Sequence, residues 1–124
     1  MASILVVEDN PMNMELVAYI LESNGIEVTQ AVDGEEVLDR IKNDLFDLVL
    51  LDIQLPGMGG LEILKHIKQY PKSSHTPVVA LTALAMMGDE KRFIDAGCIG
   101  YISKPIDVFQ FMEQVNAFLG NGKV

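Results

Sequence analysis

The sequence predicts an α/β domain of the doubly wound, flavodoxin-like kind, with one parallel sheet of five strands. Five short apolar runs alternate with five stretches of helical pattern, as in a sheet covered by helices on both faces. Three of these runs lack polar alternation and are therefore predicted to be buried on both faces: Ser3–Val7, residues 48–51 and residues 78–81. With these three strands central, the predicted order is 2-1-3-4-5. We expect residues 1–124 to form one domain, without an output domain.

The first half of the chain contains two strands and two helices. After the first strand, Asn10 and Pro11 suit the N-cap and first position of a helix that runs to about Ser23 and stops at Asn24-Gly25. Its inward positions are Met14, Val17, Ile20 and Leu21. The second strand, Glu27–Ala31, is polar enough for a sheet edge. Asp33 and Glu36 form a cap-like pair that begins a helix ending near Asn43.

The second half repeats the pattern three times. The strand at residues 48–51 is followed by a glycine-rich loop at 54–60 and a helix at 61–69, with Leu61, Leu64 and Ile67 inward. The strand at 78–81 precedes a helix at 86–96, which Gly97 closes. A short strand, Gly100–Ser103, precedes a last helix at 107–119. The predicted buried positions of that helix are Val108, Phe111, Met112, Val115, Phe118 and Leu119.

Composition narrows the classes of function. The net charge of −9 argues against a nucleic-acid-binding surface. The single cysteine, Cys98, cannot form an internal disulfide and suits a reducing compartment. No signal peptide is recognised, and no apolar run approaches the roughly 18 residues of a membrane span. A cytoplasmic location is expected.

Polar residues follow four of the five predicted strands where each leaves the core. Glu8 and Asp9 end the first strand, and Asp52 ends the third. Sites in open parallel sheets form at these carboxyl ends. Two like charges about 4 Å apart repel by about 4 kcal/mol at an effective dielectric of about 20, so these carboxylates need a raised pKa or a cation such as Mg²⁺. Thr82 and Lys104 end the fourth and fifth strands, and this set of groups suits a phosphoryl ligand, with a carboxylate as its acceptor.

These residues, in this order and at these spacings, resemble the receiver domain of two-component response regulators, the CheY-like superfamily. The resemblance covers the whole chain and is carried by Glu8-Asp9, Asp52, Thr82 and Lys104-Pro105. Two further runs, at residues 85–90 and 98–105, are most similar to single-domain regulators of the bacterial cell cycle.

The resemblance implies a role for each site residue. Asp52 would accept a phosphoryl group from a phosphohistidine on a histidine kinase or phosphotransfer protein. Asp9, Asp52 and the Gln54 carbonyl would bind Mg²⁺, for which Mn²⁺ is a possible substitute, and Glu8 would act through water. Lys104 would pair with the phosphoryl oxygens, and the Lys104–Pro105 bond would be cis.

The resemblance also implies a switch and an output surface. Thr82 would move to hydrogen-bond the phosphoryl group, and Tyr101 would turn inward behind it. The signal would leave through contact with a downstream protein effector, on a face of helix four, strand five and helix five. That face would include residues 83–87, Tyr101, Ile106 and Phe109, since Phe109 lies off the buried stripe of the last helix.

Three alternatives remain open. The chain could be an intermediate phosphate carrier in a relay, or a pseudo-receiver that never takes phosphate. It could also be a Mg²⁺-dependent phosphatase that uses an aspartyl-phosphate. That class has a second Asp two residues after the nucleophile, whereas Gln54 here cannot exchange protons, so we expect a signalling protein. Leu84, two residues after Thr82, cannot orient water and is expected to slow loss of the phosphoryl group.

Overall fold

The computed structural model describes residues 2–55, 57–83 and 89–120, without the side chains of Asp89 and Glu90. The described part alternates strand and helix from end to end, as predicted. In chain order the elements are β1 (Ser3–Val7), α1 (Pro11–Ser23), β2 (Glu27–Ala31), α2 (Gly34–Asn43), β3 (Leu48–Asp52), α3 (Gly60–Gln69), β4 (Val78–Thr82), α4 (Asp89–Ala96), β5 (Gly100–Ser103) and α5 (Val108–Gly120).

The five strands form one parallel sheet in the order β2-β1-β3-β4-β5, which confirms the predicted topology. Strands β3 and β4 are buried along their whole length, whereas β2 and β5 are the partly exposed edges. The register pairs Val7 with Leu51 and Asp52 with Leu81, so the carboxyl ends of β1, β3 and β4 lie level. This alignment brings their polar end residues to one edge of the sheet.

Each face of the sheet has its own core. On one side, alternate strand residues such as Leu5 and Leu51 pack against the inward residues of α2, α3 and α4. On the other side, Ile4 and Leu50 pack against α1 and α5. Because neighbouring residues of a strand point to opposite faces, strands covered on both faces must be apolar at every position. That requirement explains the unbroken runs in β1, β3 and β4.

The helix ends follow the predicted capping chemistry. Asn13 N–H donates to the Asn10 side chain at 3.0 Å, and Gly25 follows the helix with a φ of +78°. At α2, Glu36 N–H donates to Asp33 Oδ1 at 2.9 Å, while the Glu36 carboxylate accepts a bond from Val32 N–H at 2.8 Å. These local bonds fix where α1 and α2 begin, directly after the ends of β1 and β2.

Some predicted details are wrong. α3 begins at Gly60, which packs closely against the end of β3; Leu61 packs on the core as predicted but is only half-buried, and the prediction missed Ile63, which is fully buried. In α5, Asp107 caps the helix by accepting bonds from Phe109 and Gln110 N–H. Val108 therefore lies on the first turn and is 52% exposed rather than buried. The predicted α4 start, at residues 86–88, lies outside the described residues.

The other predicted inward residues of α5 differ in how deeply they are buried. Phe111 and Val115 are completely buried, one and two turns into the helix. Met112, Phe118 and Leu119 are half-buried and pack against the edge of the same core. The helical spacing therefore identified the inward side correctly, but only its central residues are fully covered.

Candidate functional site

Three carboxylates meet at the carboxyl ends of β1 and β3. Glu8, Asp9 and Asp52 each offer one oxygen, and these oxygens all lie within 4.8 Å of one another. Glu8 is 1% exposed and Asp52 is 2% exposed, whereas Asp9 faces solvent. The predicted carboxylate cluster is therefore present, with two members withdrawn from water.

Lys104 bridges the two buried carboxylates. Its Nζ lies 2.6 Å from Glu8 Oε1 and 3.0 Å from Asp52 Oδ2, and the contact with Asp52 is also a hydrogen bond. The contact with Glu8 is the shorter of the two ion pairs, and the Glu8 side chain is 1% exposed. One ammonium thus faces two buried negative charges.

Backbone N–H groups hold the other oxygen of each buried carboxylate. Gln54 N–H donates to Asp52 Oδ1 at 2.9 Å, and Asn10 N–H donates to Glu8 Oε2 at 3.2 Å. In both cases the donor lies two residues after the acid, where the chain turns away from its strand. These bonds fix the orientation of both carboxylates, because each side chain is held at both oxygens.

Thr82 ends β4 beside this cluster and is completely buried. The backbone carbonyl of Thr82 accepts a bond from Lys104 N–H at 2.9 Å, which extends the pairing of Thr82 with Ser103. The peptide bond between Lys104 and Pro105 is cis, as predicted. The ends of β3, β4 and β5 therefore bring Asp52, Thr82 and Lys104 to the same edge of the sheet.

The electrostatics reflect this crowding. Burial raises the pKa of Glu8 above its ordinary value, and Asp52 adds to the rise, while Lys104 opposes it. Burial alone would lower the pKa of Lys104, but the Glu8 and Asp52 carboxylates outweigh it and raise that pKa. When Glu8, Asp9 and Asp52 are all ionised, the cluster holds two more negative charges than Lys104 can balance, so it favours a further cation.

Comparison with known families decides what kind of domain carries this arrangement. Residues 4–116 match the family described as the response regulator receiver domain. The chain belongs to this family. The match spans every strand and the whole carboxylate cluster, so the resemblance inferred from the sequence is confirmed.

Curated relatives narrow the comparison to single-domain receivers. The chain is 44% identical over 119 residues to the polar-differentiation response regulator DivK of Brucella anthropi, and equally identical to DivK of Brucella ovis. The alignments cover 96% of this chain and 97% of each relative. The predicted similarity to single-domain regulators, DivK among them, is confirmed.

Solved receiver structures share the fold. One is the receiver domain of the sensor histidine kinase PA1611 from Pseudomonas aeruginosa, crystallised with a magnesium ion in its active-site cleft. It is 30% identical, with a TM-score of 0.87 over 97% of this chain and 98% of that one. The chemotaxis protein CheY4 of Vibrio cholerae is 26% identical, with a TM-score of 0.90 over 95% and 98% of the two chains.

The residues of this receiver fit a hard divalent cation. Glu8, Asp9 and Asp52 supply oxygen ligands within a short radius, which is the donor chemistry of Mg²⁺. A carboxylate has about four lone-pair positions, so the contacts with Lys104 and with backbone N–H groups leave Glu8 and Asp52 able to accept a further partner. The three carboxylates are therefore suitable metal ligands, and Lys104 is the competing cation on two of them.

Gly60 is a supporting residue that the sequence reasoning did not single out. A Cβ at this position would lie 2.5 Å from Ile53 Cα and 2.8 Å from the Asp52 carbonyl oxygen. No side chain fits there, because backbone atoms rather than flexible side chains occupy the space. The signal that could have found it is the cluster of glycines in the loop after Asp52.

The predicted output face is only partly described. Phe109 is 94% exposed, and Ala83 is exposed as well. Tyr101 and Ile106 are half-buried, each packed against one of the two cores. Residues 84–87, including Leu84, lie outside the described residues. Within the described part of the receiver, no helix is long and apolar enough to cross a bilayer.

Proposed function

We propose that this receiver is a stand-alone response regulator that accepts a phosphoryl group on Asp52. The donor would be a phosphohistidine on a histidine kinase or a histidine phosphotransfer protein, the partner class that receiver domains imply. The observation that carries the proposal is the position of Asp52. It lies at the end of a central strand, 3.0 Å from an ammonium and within 4.8 Å of two other carboxylates.

The proposed reaction transfers a phosphoryl group from a histidine nitrogen of the donor to a carboxylate oxygen of Asp52. A carboxylate oxygen of Asp52 forms a bond to phosphorus as the phosphorus–nitrogen bond breaks, and the imidazole leaves with the electron pair. Gln54 N–H and Lys104 hold the Asp52 carboxylate from both oxygens, so the nucleophile is already oriented before the donor arrives.

Glu8, Asp9 and Asp52, with the Gln54 carbonyl, would hold Mg²⁺, or Mn²⁺ as a substitute. The ion would offset the charge that builds up between the carboxylates and the phosphoryl oxygens. Glu8 would contribute mainly through water. Lys104 would pair with a phosphoryl oxygen while it retains its contact with Glu8.

The switch would begin at Thr82 and pass to Tyr101. Thr82 lies on the strand end next to Asp52, so its hydroxyl is suited to bond a new phosphoryl oxygen. Tyr101 is half-buried on the neighbouring strand, and a shift of Thr82 would leave it room to turn inward. We propose that this movement changes the face made by α4, β5 and α5, where the exposed Phe109 would meet an effector protein.

The stand-alone role rests on the match to DivK, whose length the alignment covers almost completely. The position two residues after Asp52 is Gln54, which cannot act as an acid or base, so we propose that the chain is not a rapid phosphatase. A cytoplasmic location and the absence of an output domain remain proposals that rest on the sequence.

The decisive measurement is intact mass after incubation with Mg²⁺ and acetyl phosphate. The wild type should gain the mass of one phosphoryl group, and omission of Mg²⁺ should abolish the gain. Asp52→Asn should remain unmodified. Asp39→Asn is the matched control, because Asp39 is an exposed carboxylate on α2, away from the site; this variant should be phosphorylated like the wild type.

The other outcomes identify the rival functions. Steady release of phosphate without an adduct would indicate the phosphatase. An adduct that persists in Asp52→Asn would assign the phosphoryl group to another residue. Failure with acetyl phosphate and with a phosphorylated histidine phosphotransfer domain would support the pseudo-receiver. Transfer of the label from Asp52 onward to a second histidine domain would support the relay carrier.

A further inference from the structure

The negative charge of the chain is divided unevenly along its length. Residues 1–47 hold eleven acidic and two basic side chains and so carry the whole net charge of −9, whereas residues 48–124 hold seven of each. The first stretch forms β1, α1, β2 and α2, at the β2 edge of the sheet. One end of the molecule is therefore strongly acidic, and the other end is close to neutral.

A groove of about 510 Å³ lies between α1 and β2 in this acidic end. The buried side chains of Met14 and Ala18 form its floor, and Tyr19 and Val32 flank it. The exposed acids Glu15 and Glu22 lie along its rim. We refer to these six residues as the α1–β2 groove.

The α1–β2 groove combines exposed apolar surface with negative charge that has no internal partner. Tyr19 is 70% exposed and Val32 is 44% exposed, although both belong to residue types that are commonly buried. Neither Glu15 nor Glu22 pairs with a cation in the part of the chain that the structure describes. Tyrosine is enriched among residues that anchor protein interfaces, because it buries a large apolar area and keeps a polar end.

We propose that the α1–β2 groove binds an amphipathic, basic segment of a partner protein. Apolar side chains of the segment pack on Tyr19 and Val32, and its lysine or arginine side chains pair with Glu15 and Glu22. Charge complementarity selects this occupant, because an acidic or uncharged segment would leave the rim acids without partners. The groove lies on the β2 side of the molecule, so this contact is separate from the proposed effector face of α4, β5 and α5.

The groove also extends to the phosphorylation site. Glu8 and Asp9 line one end of it, and both belong to the carboxylate cluster. A cationic side chain at that end therefore lies close to the place where Mg²⁺ would bind, so each cation weakens binding of the other. Since coupling between two ligands is reciprocal, Mg²⁺ lowers the affinity for the segment and the segment lowers the affinity for Mg²⁺. Only this coupling rests on the proposed function.

The test is fluorescence anisotropy of the whole chain with a labelled synthetic peptide. The peptide has lysines on one helical face and leucines on the other, with about twelve residues, or about 18 Å of helix. Tyr19→Ala should weaken binding about tenfold. Glu15→Gln with Glu22→Gln should weaken it about fivefold. The matched control is Glu35→Gln with Asp39→Asn, which removes the same charge from α2 and should change binding less than about twofold.

Binding that saturates and that falls only in the two groove variants supports the proposal. If the groove and control variants lose peptide affinity equally, the binding reflects only general attraction by the acidic end, and the proposal is wrong. Absence of saturable peptide binding would also overturn it. Self-association of the wild type that Glu15→Gln with Glu22→Gln abolishes would assign the groove to a second copy instead. Peptide binding that is unaffected by Mg²⁺ would refute the coupling but leave the groove as a docking site.

Discussion

Lys104→Met should destabilise the metal-free receiver, because it removes the ammonium between two buried carboxylates. At 2.6 and 3.0 Å, each contact is worth about 6 kcal/mol at an effective dielectric of about 20. Part of this attraction is offset by the cost of burying the ammonium, which is 15% exposed in the fold. Removing one partner of a buried pair leaves an uncompensated charge, and we expect a net loss of about 3 kcal/mol near neutral pH.

The pH dependence of this loss is the sharper test. The pKa of Glu8 is already raised in the fold, and without Lys104 it should rise further. A carboxyl group with a raised folded pKa binds more protons when folded, so the free energy of unfolding falls as pH rises from 4.5 through that pKa. The loss caused by Lys104→Met should therefore be smaller at about pH 5 than at about pH 7.5, because the protonated fraction of Glu8 falls as the pH rises.

Urea unfolding with chelator present measures both effects. Lys72→Met is the matched control, because Lys72 is exposed and makes only a long bond of 3.4 Å to the Lys42 carbonyl; it should change the free energy of unfolding by less than about 0.5 kcal/mol. Mg²⁺ should restore more stability to Lys104→Met than to the wild type, since the ion replaces the missing cation. A variant as stable as the wild type near neutral pH, or a loss that is identical at both pH values, would refute the reasoning.

Three further predictions follow from particular contacts. Burial raises the pKa of Cys98 to about 11 from 9.0, so near pH 8 its thiolate should be about a hundredfold scarcer in the folded protein than in the unfolded chain. Alkylation of Cys98 by iodoacetamide should therefore be slow until urea is added. Rapid labelling of the folded protein would contradict this prediction. Gly60→Ala would place a Cβ 2.5 Å from Ile53 Cα and should lower the free energy of unfolding by about 2 kcal/mol or more. If calorimetry shows no clear fall in the Tm of this variant, the loop adapts freely and the prediction is wrong. Asp33→Ala removes the cap that accepts Glu36 N–H and should cost about 1 kcal/mol in urea unfolding, whereas Asp33→Asn should cost much less; equal losses would rule out the cap as the cause.

Much of this receiver was predictable from the sequence because its signals are local. The strand ends carrying Asp52 and Thr82 follow apolar runs, and the helix that begins after Asn10 has its cap and its closing Gly25 in the sequence itself. Alternation of strand and helix restricts the topology to a few arrangements. The convergence of the carboxylates at one sheet edge then follows, since parallel strands all end at the same side.

Only the tertiary structure decided how these groups meet. The ion pair between Lys104 and Glu8 joins residues far apart in the chain, and no local pattern specifies which oxygen an ammonium will approach. The exposure of Val108 and the burial of Ile63 depend on where each helix begins against the sheet, which a periodic pattern leaves open by a residue or two. The α1–β2 groove arises from the packing of a helix beside an edge strand. Distances and exposure of this kind are set by the simultaneous packing of all elements, so they appear only when the chain is folded.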